Sequence, residues 1–382
     1  MDYEHIEIEL NQQSKHSGMP CGDVFYRVKT EQHTTIILCD GKGHGIRANT
    51  AATMNVSYLA KLMSLGFSQR VAFNKLADFL RRTGATGTHY SVFTIARILN
   101  DGATTILSYE MPPPLLVSPK EARVLPQRKL DIEDVAAYEV NCYIKRGEAI
   151  MLMSDGVTNA GIGRDYRDGW GSENLCNFIS SRLNADIDYA KLSKDVMDEV
   201  YKICKNNNDD DVTNLFAHCR KGGVAIIFTG PPTNKEDDVK YVRKFISIDG
   251  VKIVCGGTTS KIISNVLNRK MKVQNMSVNE YTPPQYEIQG IDLAAEGAIT
   301  LNQLYNVIDE KRELMHDDSP VTKLYDYIMQ ADKVIFYLGS YNYYEEQDIN
   351  FIQRGIKTRR QIVPLIADKL RVIGKLVVVE WI

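Results

Sequence analysis

The chain has 382 residues, with 46 lysines and arginines against 48 aspartates and glutamates and a formal charge of −2. A single core rarely grows past about 250–300 residues, so two domains are expected. The near-neutral balance offers no electrostatic footprint for nucleic acid or an anionic membrane, and no run approaches the roughly eighteen apolar residues of a membrane span, so both partners are set aside. The opening stretch MDYEHIEIEL lacks the basic and apolar regions of a secretory leader. Seven cysteines (Cys21, Cys39, Cys142, Cys176, Cys204, Cys219 and Cys255) are odd in number and contain no CxxC pair, which points to reduced thiols and a cytoplasmic location.

In chain order, VFYRVKT and TTIILCD read as strands, and ANTAATMNVSYLAKLMSLG and RVAFNKLADFLRRT as helices with apolar residues at helical spacing. SVFTIARIL, GATTILSYE and PPPLLVSP then read as an antiparallel meander, separated by Asn-Asp-Gly and by a proline cluster. EAIMLMSDGVTNAG repeats the opening theme of a buried strand ending on Asp-Gly, and the two such ends are expected to meet at one sheet edge. The helix-like YAKLSKDVMDEVYKICK, the acidic run NNNDDDVT and a last strand, NLFAHCR, complete the first region. This order predicts an α+β fold over 1–220, two sheets with helices outside. From about residue 221, VAIIFTGPP, VKIVCGGTTSKIISNVL and ADKVIFYLGS alternate strands with helices, which predicts a separate α/β domain with parallel strands over 221–382. LMHDDSPVTK reads as a minor hinge.

Four acidic positions share one environment, a β-rich run closing on Asp: Asp23 in PCGD, Asp40 in LCDG, Asp155 in MSDG, and the run Asp209, Asp210 and Asp211 in DDDVT. Carboxylates that converge in one cleft cannot all ionise without cations between them, so two hard divalent ions would relieve the repulsion and activate a water for in-line attack on phosphorus. Glycine after Asp40 and after Asp155 would let the backbone approach such ions. Asp-Gly pairs and an Asn/Asp run also mark ordinary turns and loops, but all four positions together at strand ends weigh toward a site.

GD at 22–23, DGKGHG at 40–45, SDGVTNAG at 154–161 and DDVT at 210–213 resemble, in order and rough spacing, the SpoIIE-type branch of the bacterial metal-dependent serine/threonine phosphatases, the PPM superfamily. MPPPLLV is similar to that branch's proline-rich turn. The resemblance covers about residues 15–220 and implies an αββα sandwich of two antiparallel sheets. It implies that Asp40 bridges two Mn²⁺ or Mg²⁺ ions with help from the Gly41 carbonyl, and that Asp23 contributes to one ion mainly through water. Asp155 and Asp210 would hold the other ion, with Asp211 as the alternative to Asp210. The nucleophile would be the metal-bridging water and the substrate a phosphoserine or phosphothreonine protein, such as a partner-switching regulator. The chain departs from the branch at Glu110 and Met111, where Gly-His is common, and at Asn159, where Glu is common. No arginine near Asp23 can be assigned as a phosphate clamp, which leaves phosphate mainly on the ions.

His44 could protonate a leaving alkoxide, but the reading preferred here is a loop residue. His89, Lys42 and Arg47 are given no role beyond local electrostatics. In the second region, CGGTTSKIISNVL places glycine before a helix with Thr258, Thr259 and Ser260 as capping hydroxyls, and Asp292 and Glu296 lie beside glycines. No Walker A or GxGxxG spacing occurs, so this region is read as a sensor or docking module for a small ligand or partner. The chain opens directly into the first region, so regulatory input is expected to enter through the second, directly or through a homodimer. Two other readings are weighed: a GHKL-type ATP-binding kinase, which leaves SDG and DDVT unexplained, and a catalytically silent scaffold, against which the full ligand set argues.

Overall fold

The computed structural model describes residues 3–84, 90–132, 135–205, 209–275, 283–315, 319–339 and 355–382. His89, Asn206–Asn208 of the acidic run and residues 316–318 of the suggested hinge lie outside them. The described residues fall into two units, one from Glu4 to Lys221 and one from Gly222 to Ile382 joined by Tyr3.

The first unit is a sandwich of two antiparallel sheets. One sheet has the order β2 (Asp23–Lys29), β3 (His33–Gly41), β4 (Ser91–Leu99), β5 (Ala103–Tyr109), β9 (Ala137–Tyr143), β8 (Arg128–Lys129). The facing sheet runs β1 (Glu4–Gln13), β11 (Val212–Lys221), β10 (Ala149–Met153), β6 (Leu115–Val117), β7 (Ala122–Val124). Helices α1 (Gly45–Ser64) and α2 (Gln69–Thr83) cover the first sheet. Helices α4 (Gly171–Ser180) and α5 (Tyr189–Ile203) cover the second.

Strand alternation builds these layers. In β3, Ile36 and Leu38 enter the core between the sheets while Ile37 and Cys39 pack under α1 and α2. In β10, Ile150 and Leu152 take the inner face and Met151 and Met153 the helix side. Period-two alternation therefore brings Asp40 to the inter-sheet face. Burying each of these large side chains fully is worth about 1.5–3 kcal/mol. Helix α2 starts where the Ser68 hydroxyl accepts from the Val71 amide, buries Phe73, Leu76 and Leu80 on one stripe, and stops at Gly84 with φ +69°. Its Arg70 joins Arg128 in pairing with the buried carboxylate of Glu139.

Two expectations need correction. The third member of the proposed meander, Leu115–Val117, belongs to the other sheet, pairing with β10 and β7, because the prolines at 112–114 carry the chain across the sandwich and break the hairpin run. Strand β9 takes its place beside β5. The two Asp-Gly ends do not share one sheet edge: Asp40 closes β3 of one sheet, whereas Asp155 opens the short helix α3 (Asp155–Thr158) just beyond β10 of the other.

The second unit is a seven-stranded sheet. β16 (Leu293–Ala295), β13 (Val251–Cys255), β12 (Val224–Thr229), β17 (Lys333–Leu338) and β18 (Leu376–Trp381) are parallel. An antiparallel hairpin, β14 (Met271–Asn275) and β15 (Gln285–Ile288), extends the β16 edge. Helices α6 (Asp238–Ser247) and α7 (Gly257–Val266) pack on one face. Helices α8 (Ala298–Val307), α9 (Pro320–Gln330) and α10 (Arg359–Val372) pack on the other, which is why the parallel strands read as near-continuous apolar runs.

Candidate metal centre

Asp23 and Asp40 stand opposite each other as cross-strand partners at the adjoining ends of β2 and β3. Asp155 opens α3 just beyond the end of β10 on the facing sheet, and its charge acts on Asp40. Asp210 lies on the turn that leads into β11, its Oδ1 accepting from the Asp211 amide at 2.9 Å. The Asp155 carboxylate also accepts from Asn159 Nδ2 at 3.0 Å. Four carboxylates from two sheets therefore converge.

Their protonation records the crowding. Burial first, and then the charges of Asp23, Asp155, Asp210 and Asp211, push the Asp40 carboxyl up to about 10. Burial raises Asp23 to about 6, with the Thr213 hydroxyl pulling it back. Asp155 is raised by burial and by Asp210, and Asp210 is raised by burial, with Lys15 and His44 pulling it back. Asp23 is buried, and only its Oδ2 has a partner, the Thr213 hydroxyl at 2.6 Å; Oδ1 is buried without one. An unpartnered buried carboxylate oxygen is costly unless something cationic meets it. The donors are all oxygens, a set that suits Mn²⁺ or Mg²⁺ better than a thiophilic ion. The residues fit such a pair of ions.

Asp211 and Asp209 do other work. Asp211 is buried and accepts the Lys15 amide on Oδ1 at 2.7 Å and the Gly22 amide on Oδ2 at 2.8 Å. Asp209 pairs with Arg164 at 2.6 Å. Thr213 ties the sheets together: its amide donates to the Ser154 hydroxyl at 2.9 Å while its own hydroxyl holds Asp23. The sequence signalled Thr213 only as the last letter of DDVT.

The glycines of the motifs also allow close packing of the backbone. A Cβ on Gly41 would collide with the Ala48 carbonyl of α1, and one on Gly156 with the Asp211 carbonyl. A Cβ on Gly22 would meet Asp211 Oδ2 at 2.7 Å. These glycines let backbone approach backbone, seating the helix and the acidic turn against the strand ends. Glu110 adopts φ +54°, which explains why glycine is common at this place in the family it resembles; its carboxylate accepts from the Tyr90 hydroxyl. The neighbouring Met111 is buried in the inter-sheet core. Lys42 lies 5.8 Å from the Tyr90 ring centroid, Arg47 is exposed, and His44 is the N-cap residue of α1 without a side-chain capping bond.

Residues 30–220 match the family described as Stage II sporulation protein E (SpoIIE). The chain belongs to the SpoIIE family. No functionally curated protein matches it. Among solved structures, this SpoIIE-family chain is similar to the PP2C phosphatase domain with a fragment of the regulatory domain of SpoIIE from Bacillus subtilis, at 18% identity and a TM-score of 0.50. That likeness covers 58% of this chain and spans 64% of the Bacillus chain, and it shows a shared fold. The RsbU and RsbW domains of Rv1364c from Mycobacterium tuberculosis align at 16% identity and a TM-score of 0.49, over 69% of this chain and 70% of that one. The fold and the SpoIIE family assignment place residues 30–220 among the PPM-type phosphatases. No described helix is long and apolar enough to cross a membrane.

Proposed function

We propose that this chain is a metal-dependent protein serine/threonine phosphatase. One observation carries the reading: Asp23, the cross-strand partner of Asp40, is buried with its Oδ1 unpartnered, beside an Asp40 carboxyl that burial and the charges of Asp23, Asp155 and Asp210 push up. Asp40, Asp155, Asp210, Asp23 and the Gly41 carbonyl would hold two Mn²⁺ or Mg²⁺ ions. When bound, such ions supply Lewis acidity and a water acidified for in-line attack on a phosphate ester. The chain's own residues set the geometry. Thr213 fixes the Asp23 rotamer, and Asn159 orients Asp155. Gly41 and Gly156 allow α1 and the acidic turn to close on the strand ends. With both Asp211 oxygens engaged by amides, the reading favours Asp210 over Asp211 as a ligand. The substrate class proposed is the phosphoserine or phosphothreonine of a regulatory protein. The test is turnover of an aryl phosphate and a phosphoserine peptide with Mn²⁺, expected to vanish in EDTA and return on adding Mn²⁺ back. Turnover that survives complete chelation, or that requires ATP, would sink the reading.

Residues 222–382, with a core and sheet of their own, are proposed to sense a small ligand or partner and tune the phosphatase. A chain ending at Arg220 is expected to keep basal turnover and to lose whatever response the full chain gives to a metabolite library. Equal responses from both would remove the second unit from control.

A further inference from the structure

The loop between β1 and β2, residues 14–22, leads into Asp23 and is fastened along its length. Asp211 holds both ends, through the amides of Lys15 and Gly22. Asn49 of α1 donates to the Cys21 carbonyl at 2.7 Å, and Met19 packs against Gly45 at the start of α1. This anchoring sets His16 edge-on against His44, ring centroids 4.8 Å apart, with Lys15 beside it in the chain. Both imidazoles are exposed to solvent, so they serve no core. The Lys15 amide is held by Asp211, next to Asp210 in the chain, and His44 is the N-cap residue of α1, just after Asp40 and Gly41. The paired rings of His16 and His44, with Lys15 adjoining, thus bring nitrogen donors next to the loops that carry Asp40 and Asp210–Asp211, whose side chains offer only oxygen.

A phosphate monoester brings two negative charges to such a site. Ions held by the carboxylates could meet one side of the phosphoryl group, leaving its remaining oxygens in need of N–H donors. We propose that Lys15, His16 and His44 are the phosphate-recognition residues of this site, donating to the phosphoryl oxygens turned away from the carboxylates. The assignment rests on the phosphatase reading for its chemistry. It gives the 14–22 loop a reason to be fixed by a buried carboxylate, and it supplies the phosphate contact for which no arginine was found.

Two measurements on the full-length chain test it. First, kcat and KM for a phosphoserine peptide at saturating Mn²⁺ are compared among wild type, Lys15→Met, His16→Gln and His44→Gln. KM is expected to rise by about tenfold in each, equivalent to about 1.4 kcal/mol of binding. The Mn²⁺ half-saturation and the melting temperature should not move, and Lys15→Arg should retain most of the affinity. Second, inorganic phosphate is titrated into the Mg²⁺-loaded protein while the imidazole protons are followed by NMR. With seven histidines in the chain, His16 and His44 can be assigned from their own variants, and both resonances should shift with saturating phosphate. If wild type hydrolyses no ester yet phosphate moves both imidazoles and the variants abolish binding, the phosphatase reading fails and this assignment stands. Unchanged KM in the variants, or imidazoles that ignore phosphate, would overturn it.

Discussion

Asp40→Asn is expected to reduce Mn²⁺-saturated turnover by about a hundredfold or more, because the reacting groups lose the alignment on which rate depends steeply, while the metal-free protein melts several degrees higher than wild type. The second half follows from protonation. Asp40 is held near 10 and Asp23 near 6 in the folded chain, against about 4 for a solvated aspartate. Between about pH 4 and pH 10 the folded state therefore keeps protons that the unfolded state has released, and metal-free stability falls as pH rises through that window. Asparagine carries no charge at any of these pH values. The gap between variant and wild type in EDTA should thus widen from pH 5 to pH 8, and saturating Mn²⁺ should reverse it. Melting curves that coincide at both pH values would mean that Asp40 does not strain the metal-free fold. Wild-type turnover in the variant would remove Asp40 from the centre altogether.

Asp210 and Asp211 should separate cleanly although they are neighbours. Asp210→Asn is expected to raise the Mn²⁺ half-saturation by about tenfold with little change in melting temperature, since among the described residues Asp210's carboxylate is bonded to the neighbouring Asp211 amide rather than to a distant part of the chain. Asp211→Ala should lower the melting temperature by several degrees, because two charge-assisted bonds to backbone amides are lost and two buried N–H groups lose their acceptor. Its metal dependence should shift far less. A metal titration beside a thermal scan of the two variants reads both quantities, and the reverse pattern would exchange their roles.

Much of the phosphatase unit was legible because the decisive signals are local. Ile36–Cys39 and Ala149–Met153 are continuous apolar runs that can only be buried strands, and the helical spacing of Phe73, Leu76 and Leu80 gave α2 nearly to the residue. The acidic positions were legible as a set because each closes a β-rich run. What escaped depends on residues far apart in the chain. Gly41 reads as freedom to meet an ion, and only the folded chain shows Ala48's carbonyl against it. Asp211 reads as a spare ligand until it is seen holding Gly22, 189 residues away. The transfer of Leu115–Val117 to the second sheet is likewise set by its partners, since three apolar residues after prolines fit either edge. His16 carried no signal at all, because an exposed loop histidine acquires meaning only from the ring beside it.

Strand β1 pairs along its whole length with β11, Glu4 with Lys221 through to Gln13 with Val212. The first strand of this unit is therefore matched to its last strand, and the closing turn that carries Asp210 and Asp211 arrives with that last strand. Such long-range pairing slows folding, since the entropy of closing a large loop must be met before the contacts form. It also makes assembly of the cluster wait until the whole first unit has been synthesised. A nascent chain, or one cut short before residue 209, has neither the second sheet's central strand nor the acidic turn, so the centre is completed only in molecules whose first unit has been made in full.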